Sequence, residues 1–124
     1  MAGCISGTAP DGSPTEVDVA EGRHLVAFLS GGCKPCRMYW KGLGERRPEL
    51  AGTPVVIVTP DPSTEPRRGI ARLAPKGVPV VMSTTTWFGF GAGAAPWFAV
   101  VDDGTVTAGG NAPTWADLAA LVRS

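Results

Sequence analysis

Cys33 and Cys36 stand two residues apart, with Lys34 and Pro35 between them. Thiols at that spacing have three chemistries open to them: dithiol–disulfide cycling, half of a tetrahedral zinc site, or a small inert disulfide. Context favours the first. Leu25-Val26-Ala27-Phe28-Leu29 reads as a strand buried on both faces and Ser30-Gly31-Gly32 as a break. A helix is then predicted over residues 34–45, so the pair sits where a strand hands over to a helix. Cys33 is thereby placed near a helix N-terminus, where unpaired N–H groups and the macrodipole favour a thiolate, and Lys34 adds a positive charge. Cys36 falls on the same helix face, one turn deeper, placed to attack a mixed disulfide on Cys33 and release the reduced substrate. Cys33 is the candidate nucleophile and Cys36 the resolving thiol, with Lys34 and Pro35 tuning the helix start.

The other two chemistries keep specific residues. A zinc site would need all of Cys4, His24, Cys33 and Cys36, and Cys4 lies in a Gly-rich stretch without a second ligand knuckle. A structural disulfide across two residues would constrain the unfolded chain weakly. His24, the single histidine, reads as a surface residue on a strand edge. Cys4 follows Met1-Ala2-Gly3, which echoes the end of a lipobox, but no apolar stretch precedes it, so an exposed free thiol is expected.

The elements that must position the pair can be read outward from it. Residues 1–16 are a Gly-, Ser-, Thr- and Pro-containing lead-in, expected to be flexible, before a domain over residues 17–124. Met38, Tyr39, Trp40 and Leu43 supply apolar faces of the helix after Cys36, Gly42 and Gly44 weaken its end, and Pro48 stops it. Val55-Val56-Ile57-Val58-Thr59 is a β-branched strand. Ser63 or Thr64 is placed to cap a helix carrying Ile70 and Leu73. Pro79-Val80-Val81-Met82 is a strand, and Ser83 to Thr86 cap a short turn with Trp87, Phe88 and Phe90. Residues 96–101 form a strand, Asp103-Gly104 a hairpin turn, and residues 105–108 its partner. Pro113 and Thr114 open a last helix, with Asp117 three residues past the cap and Trp115, Leu118, Leu121 and Val122 on one side.

With 124 residues, 44% of them hydrophobic, the chain holds one core, although 17 glycines and 12 prolines make it loop-rich. Eleven basic residues balance eleven acidic ones, so there is no surplus to neutralise nucleic-acid phosphates. Apolar runs are far shorter than the ~20 residues that span a bilayer. Gly89-Phe90-Gly91-Ala92-Gly93 lacks the Lys-Ser/Thr that would follow a phosphate loop.

Residues 25–37, Thr53 to Thr59 and Ala95-Pro96-Trp97-Phe98-Ala99-Val100 together resemble the thioredoxin superfamily, over roughly residues 17–123. Proline before the second cysteine is shared by thioredoxins and the TlpA/ResA-like branch. Val56-Ile57-Val58-Thr59, Gly77-Val78-Pro79-Val80-Val81 and Ala95-Pro96-Trp97-Phe98 are similar to actinobacterial-type TlpA-like thiol-disulfide oxidoreductases. The resemblance implies an α/β thioredoxin fold, with a central mixed β-sheet flanked by helices on both faces. It implies protein disulfide exchange without organic cofactor or metal, by a monomer acting on protein disulfide or dithiol substrates. It also implies a cis-proline at Pro96, with Ala95, Pro96 and Trp97 binding substrate. Trp40, Trp87, Phe88, Phe90 and Trp97 read as core and near-core packing, with Trp97 the best candidate for exposure because it adjoins Pro96. Location outside the cytoplasmic membrane is implied, on an N-terminal anchor beyond this chain and beside a membrane redox partner, with the cytoplasm as the alternative. Two departures stand out. Gly31-Gly32 replaces the Trp that commonly precedes the first cysteine, and Ala27 replaces a buried carboxylate that assists the resolving thiol. A peroxiredoxin-like peroxidase would need a Thr before a single cysteine, and a binding module would have no use for an intact cysteine pair.

Overall fold

A computed structural model describes residues 3–123; Met1, Ala2 and Ser124 lie outside the described residues. Along the chain run β1 (Cys4–Thr8), β2 (Pro14–Asp18), β3 (Arg23–Phe28), α1 (Cys36–Glu45), a 3-10 turn (Arg47–Leu50), β4 (Val55–Thr59) and α2 (Arg67–Leu73). They are followed by β5 (Val80–Met82), α3 (Thr84–Gly89), β6 (Trp97–Asp102), β7 (Thr105–Gly110) and α4 (Trp115–Arg123). The strands form one sheet in the order β2-β1-β5-β4-β3-β6-β7. β3, β4 and β5 are parallel, while β6, β7, β1 and β2 join antiparallel, so the sheet is mixed.

Every residue of β4 is buried, as expected of a β-branched strand covered on both faces. Alternation along β3 sends Leu25 and Ala27 to one core and Val26 and Phe28 to the other. The first core takes Tyr39 and Leu43 from α1, Ile70 from α2, and Trp115, Leu118 and Val122 from α4. The second takes α3, whose Trp87 stands edge-on to Phe28 at 5.3 Å, with Phe90 at 5.4 Å. Helices therefore cover both faces.

Several local expectations hold at the level of individual hydrogen bonds. Thr114 and Asp117 form a reciprocal capping box on α4: the Asp117 carboxylate accepts from the Thr114 amide at 3.2 Å, and the Thr114 hydroxyl accepts from the Asp117 amide at 3.1 Å. Ser83 caps α3 by accepting from the Thr86 amide at 3.1 Å. Asp103 and Gly104, both at positive φ, turn β6 into β7.

The start of the chain differs from the loose lead-in that its composition suggests. β1 and β2 form a hairpin with Ile5 opposite Val17, and β1 joins β5 through Thr8 and Met82. Ile5 and Val19 are fully buried in the second core, which is the reason the segment is held on the sheet. The turn rests on Pro10-Asp11-Gly12: Gly12 takes φ +94°, and Asp11 accepts from the Ser13 amide at 2.9 Å. Pro48 lies within the 3-10 turn, where its missing N–H is no loss, rather than ending all helical structure. α2 starts after Pro66, and Ser63 instead hydrogen-bonds Asp61. Met38, expected on an apolar helix face, is exposed.

Gly42 has a packing role that its low helix propensity conceals. A Cβ added there would come within 2.6 Å of the Trp115 ring, so α1 and α4 approach through the missing side chain.

Candidate active site

β3 delivers the chain to the site, and its ladder continues one residue further, the Leu29 amide donating to Val58 O at 3.0 Å. The loop at residues 30–32 is held from two sides. Trp40 Nε1 of α1 donates to Ser30 O at 3.2 Å, and Glu65 Oε1 accepts from the Gly31 amide at 3.0 Å. Gly31, Gly32, Glu65, Pro66, Ile70 and Leu73 line a groove of about 310 Å³ beside this loop.

Cys33 and Cys36 form a disulfide, with Cα atoms 5.2 Å apart. Cys33 is half-buried and Cys36 fully buried, so a partner reaching the pair meets the Cys33 sulfur first. No side chain caps the N-terminus of α1, and Pro35 holds the N-cap position. The Cys33 sulfur fills that role in part: the Cys36 amide donates to Cys33 Sγ at 3.2 Å. When the pair is reduced, the positive end of a ten-residue helix and the backbone N–H both favour negative charge on that sulfur. Lys34 and Pro35 are exposed at the helix entry.

The 94–96 segment closes the site from the opposite side. The Ala95–Pro96 peptide bond is cis, and Ala95 O lies 3.6 Å from Cys33 Sγ. Ala95 and Pro96 are thus brought to the cysteine pair, but the Trp97 side chain is not. β6 alternates, so Phe98 enters the same core as Cys36 while Trp97 packs on the other core, its ring beside Gly93. The expected exposed aromatic is also different: Phe88 is 75% exposed, whereas Trp87, Phe90 and Trp97 are packed and Trp40 is buried. Ala27 is buried in the core that holds Cys36.

The four residues a zinc site would need are dispersed. His24 is the second residue of β3, an interior strand and not an edge strand, and its Nε2 lies 2.9 Å from Glu21 O, while Cys33 follows the far end of the strand. Cys4 pairs opposite Asp18 in the N-terminal hairpin as an exposed free thiol. Among the described residues no three His, Cys, Asp or Glu side chains gather as metal ligands would.

Sequence reasoning passed over Asn111. Its Nδ2 donates to Ala94 O at 3.3 Å and Pro96 O at 2.7 Å, clasping the segment that faces Cys33. The helix pattern marks Tyr39 only as an apolar residue, yet its hydroxyl donates to Ala112 O and approaches Thr114 O at 3.0 Å. Burial, with the Asp117 charge adding to it, pushes the Tyr39 phenol up to about 12, so it stays a neutral donor across the physiological range.

Neither a protein-family profile nor a curated protein sequence matches the chain. Solved structures do. A secreted Mycobacterium tuberculosis disulfide oxidoreductase homologous to E. coli DsbE superposes with a TM-score of 0.74 at 16% identity, covering 96% of this chain and 94% of that one. A putative thiol:disulfide interchange protein DsbE from Chlorobium tepidum gives 0.73 at 21% identity, covering 98% and 90%. A thioredoxin-like protein from Aeropyrum pernix gives 0.70 at 15% identity, covering 96% and 88%. These likenesses, with the mixed seven-stranded sheet and its four helices, show that the chain has the thioredoxin fold.

Proposed function

We infer that the protein is a thiol-disulfide oxidoreductase that exchanges disulfides with protein substrates through Cys33 and Cys36. The observation that carries this reading is the asymmetry of the pair. Cys33 is reachable and takes a backbone N–H at the start of α1, while Cys36 is sealed beneath it within bonding distance. In the reduced protein, the Cys33 thiolate attacks one sulfur of a substrate disulfide, forming a mixed disulfide and expelling the other substrate sulfur as a thiolate. Cys36 then gives up its proton and attacks Cys33 Sγ; the second substrate sulfur leaves, and the protein holds the Cys33–Cys36 disulfide. The same steps in reverse oxidise a substrate dithiol. Because Ala27 supplies no carboxylate to the core around Cys36, the departing substrate thiolate is the base at hand for that proton.

Lys34 and Pro35 tune the helix entry, Lys34 by its charge and Pro35 by its preset backbone. Ala95 and Pro96 offer main chain to an extended substrate segment, a β-augmentation contact to which Trp97 contributes backbone rather than ring. The working place is extracytoplasmic, beside a membrane redox partner. That reading is supported by the sequence resemblance and by the secreted M. tuberculosis protein of the same fold. Insulin reduction in the presence of dithiothreitol tests the activity. The wild-type chain accelerates precipitation of the insulin B chain and Cys33→Ser abolishes the acceleration; a wild-type chain that does no better than dithiothreitol alone contradicts the reading and leaves a binding module.

A further inference from the structure

Asn111 follows β7 directly, and the pairing of Gly110 with Phe98 brings it beside the start of β6. Its two hydrogen bonds go to Ala94 O and Pro96 O, the carbonyls on either side of Ala95. A primary amide nitrogen carries two hydrogens, so this pair of acceptors uses both donors and fixes which end of the amide faces the segment. With its neighbours' oxygens engaged, the oxygen of Ala95 is the one that lies against Cys33 Sγ, at 3.6 Å. The residues just after Asn111 are tied to the other half of the site. The hydroxyl of Tyr39, which sits on α1 with Cys36, donates to Ala112 O and lies 3.0 Å from Thr114 O. Segment 111–114 therefore holds both the Ala95–Pro96 wall and the helix that carries the buried cysteine.

We propose that Asn111 is a positioning residue of the dithiol site, holding the Ala95 carbonyl against Cys33 as the acceptor for its thiol hydrogen when the pair is reduced. This rests on the oxidoreductase reading. Two backbone groups then act on one sulfur in opposite directions. The Cys36 N–H favours the thiolate, and the Ala95 oxygen favours the protonated thiol and repels a negative sulfur. By fixing the second group, Asn111 keeps the proton on Cys33 more firmly than the helix start alone would. Releasing the carbonyl therefore makes Cys33 more acidic.

The test compares the wild-type chain with Asn111→Ala and Asn111→Gln, all reduced and in a Cys4→Ser background. Alkylation of Cys33 by iodoacetamide is followed against pH, peptide by peptide, with thermal unfolding as the check on the fold. The charged residues of the neighbouring segments, Lys34, Arg37 and Glu65, are unchanged in every variant. Asn111→Ala is expected to move the Cys33 midpoint down by about half a pH unit, the scale of one weak hydrogen bond, and Asn111→Gln, which keeps the donor, to move it less. A structural residue without the proposed role would lower the melting temperature and leave the midpoint in place. An unmoved or raised midpoint in folded Asn111→Ala overturns the proposal. If that variant does not fold, Asn111→Ser, whose hydroxyl cannot span both carbonyls, is held to the same criterion. Insulin reduction by the wild-type chain separates the two readings: its absence sinks the oxidoreductase assignment, whereas its presence with an unmoved midpoint sinks only the role of Asn111.

Discussion

The sulfur of Cys33 accepts the Cys36 amide at 3.2 Å and is half-exposed, while Cys36 behind it is closed to solvent. Cys4 is exposed, but its thiol is raised above the ordinary range by desolvation, by a hydrogen bond with Glu16, and by the charges of Glu16 and Asp18. A raised thiol pKa means less thiolate at any given pH, so the alkylation curve of Cys4 moves to the alkaline side. In the reduced protein at mildly acidic pH, Cys33 should therefore alkylate first, with Cys4 behind it and Cys36 last. Peptide mass spectrometry after timed iodoacetamide exposure reads that order, and Cys4 leading Cys33 would contradict the assignment. The cysteine pair was legible in the sequence because its chemistry depends on adjacency. Ala95 and Pro96 came only from family resemblance. Trp97 shares that resemblance-based place beside substrate, but strand alternation from Phe98 turns its ring to the opposite core and leaves only its backbone for such a contact. Asn111 had no signature at all, since its partners are backbone carbonyls 15 and 17 residues away.

Helix α1 presents its first turn to the dithiol and its later turns to α4, and Gly42 sits where the two helices meet. On helix propensity alone, Gly42→Ala should stabilise by about 1 kcal/mol. The added Cβ would come within 2.6 Å of Trp115, a buried ring at the centre of the first core, and overpacking of that kind costs about 1–3 kcal/mol. Net destabilisation is expected, read as a lower denaturation midpoint in urea; a more stable Gly42→Ala would show that the helices are not in such close contact. Sequence periodicity found α1 and α4 and even the Thr114–Asp117 cap, because those signals are local. That Gly42 belongs to the packing of Trp115 could not be read, since the two meet only in the folded chain.

The N-terminal hairpin extends a five-stranded arrangement of β5-β4-β3-β6-β7 to seven strands, and it attaches through buried Ile5 and Val19. Ile5→Ala should cost about 2–5 kcal/mol in global stability, as for a buried aliphatic side chain elsewhere. An unchanged unfolding midpoint would mean that the segment contributes nothing to the fold. Its composition hid it: Gly, Ser, Thr and Pro are loop-formers, and a short half-buried edge strand needs only one or two apolar residues. The turn signal Pro10-Asp11-Gly12, flanked by Ile5 on one side and Val17 and Val19 on the other, was the readable clue. By contrast, the parallel β3-β4-β5 centre was plain from its apolar runs, and with it the direction in which the chain enters α1 and the cysteines. On the proposed function, the whole arrangement serves a half-exposed attacking sulfur with its resolving partner sealed beneath, and one trapping experiment addresses that proposal. Reduced Cys36→Ser in a Cys4→Ser background is mixed with insulin and resolved without reductant, beside the matching Cys33→Ser variant. A covalent insulin adduct through Cys33, absent from the Cys33→Ser variant, is predicted. An adduct through Cys36, or none from either variant, would contradict the account.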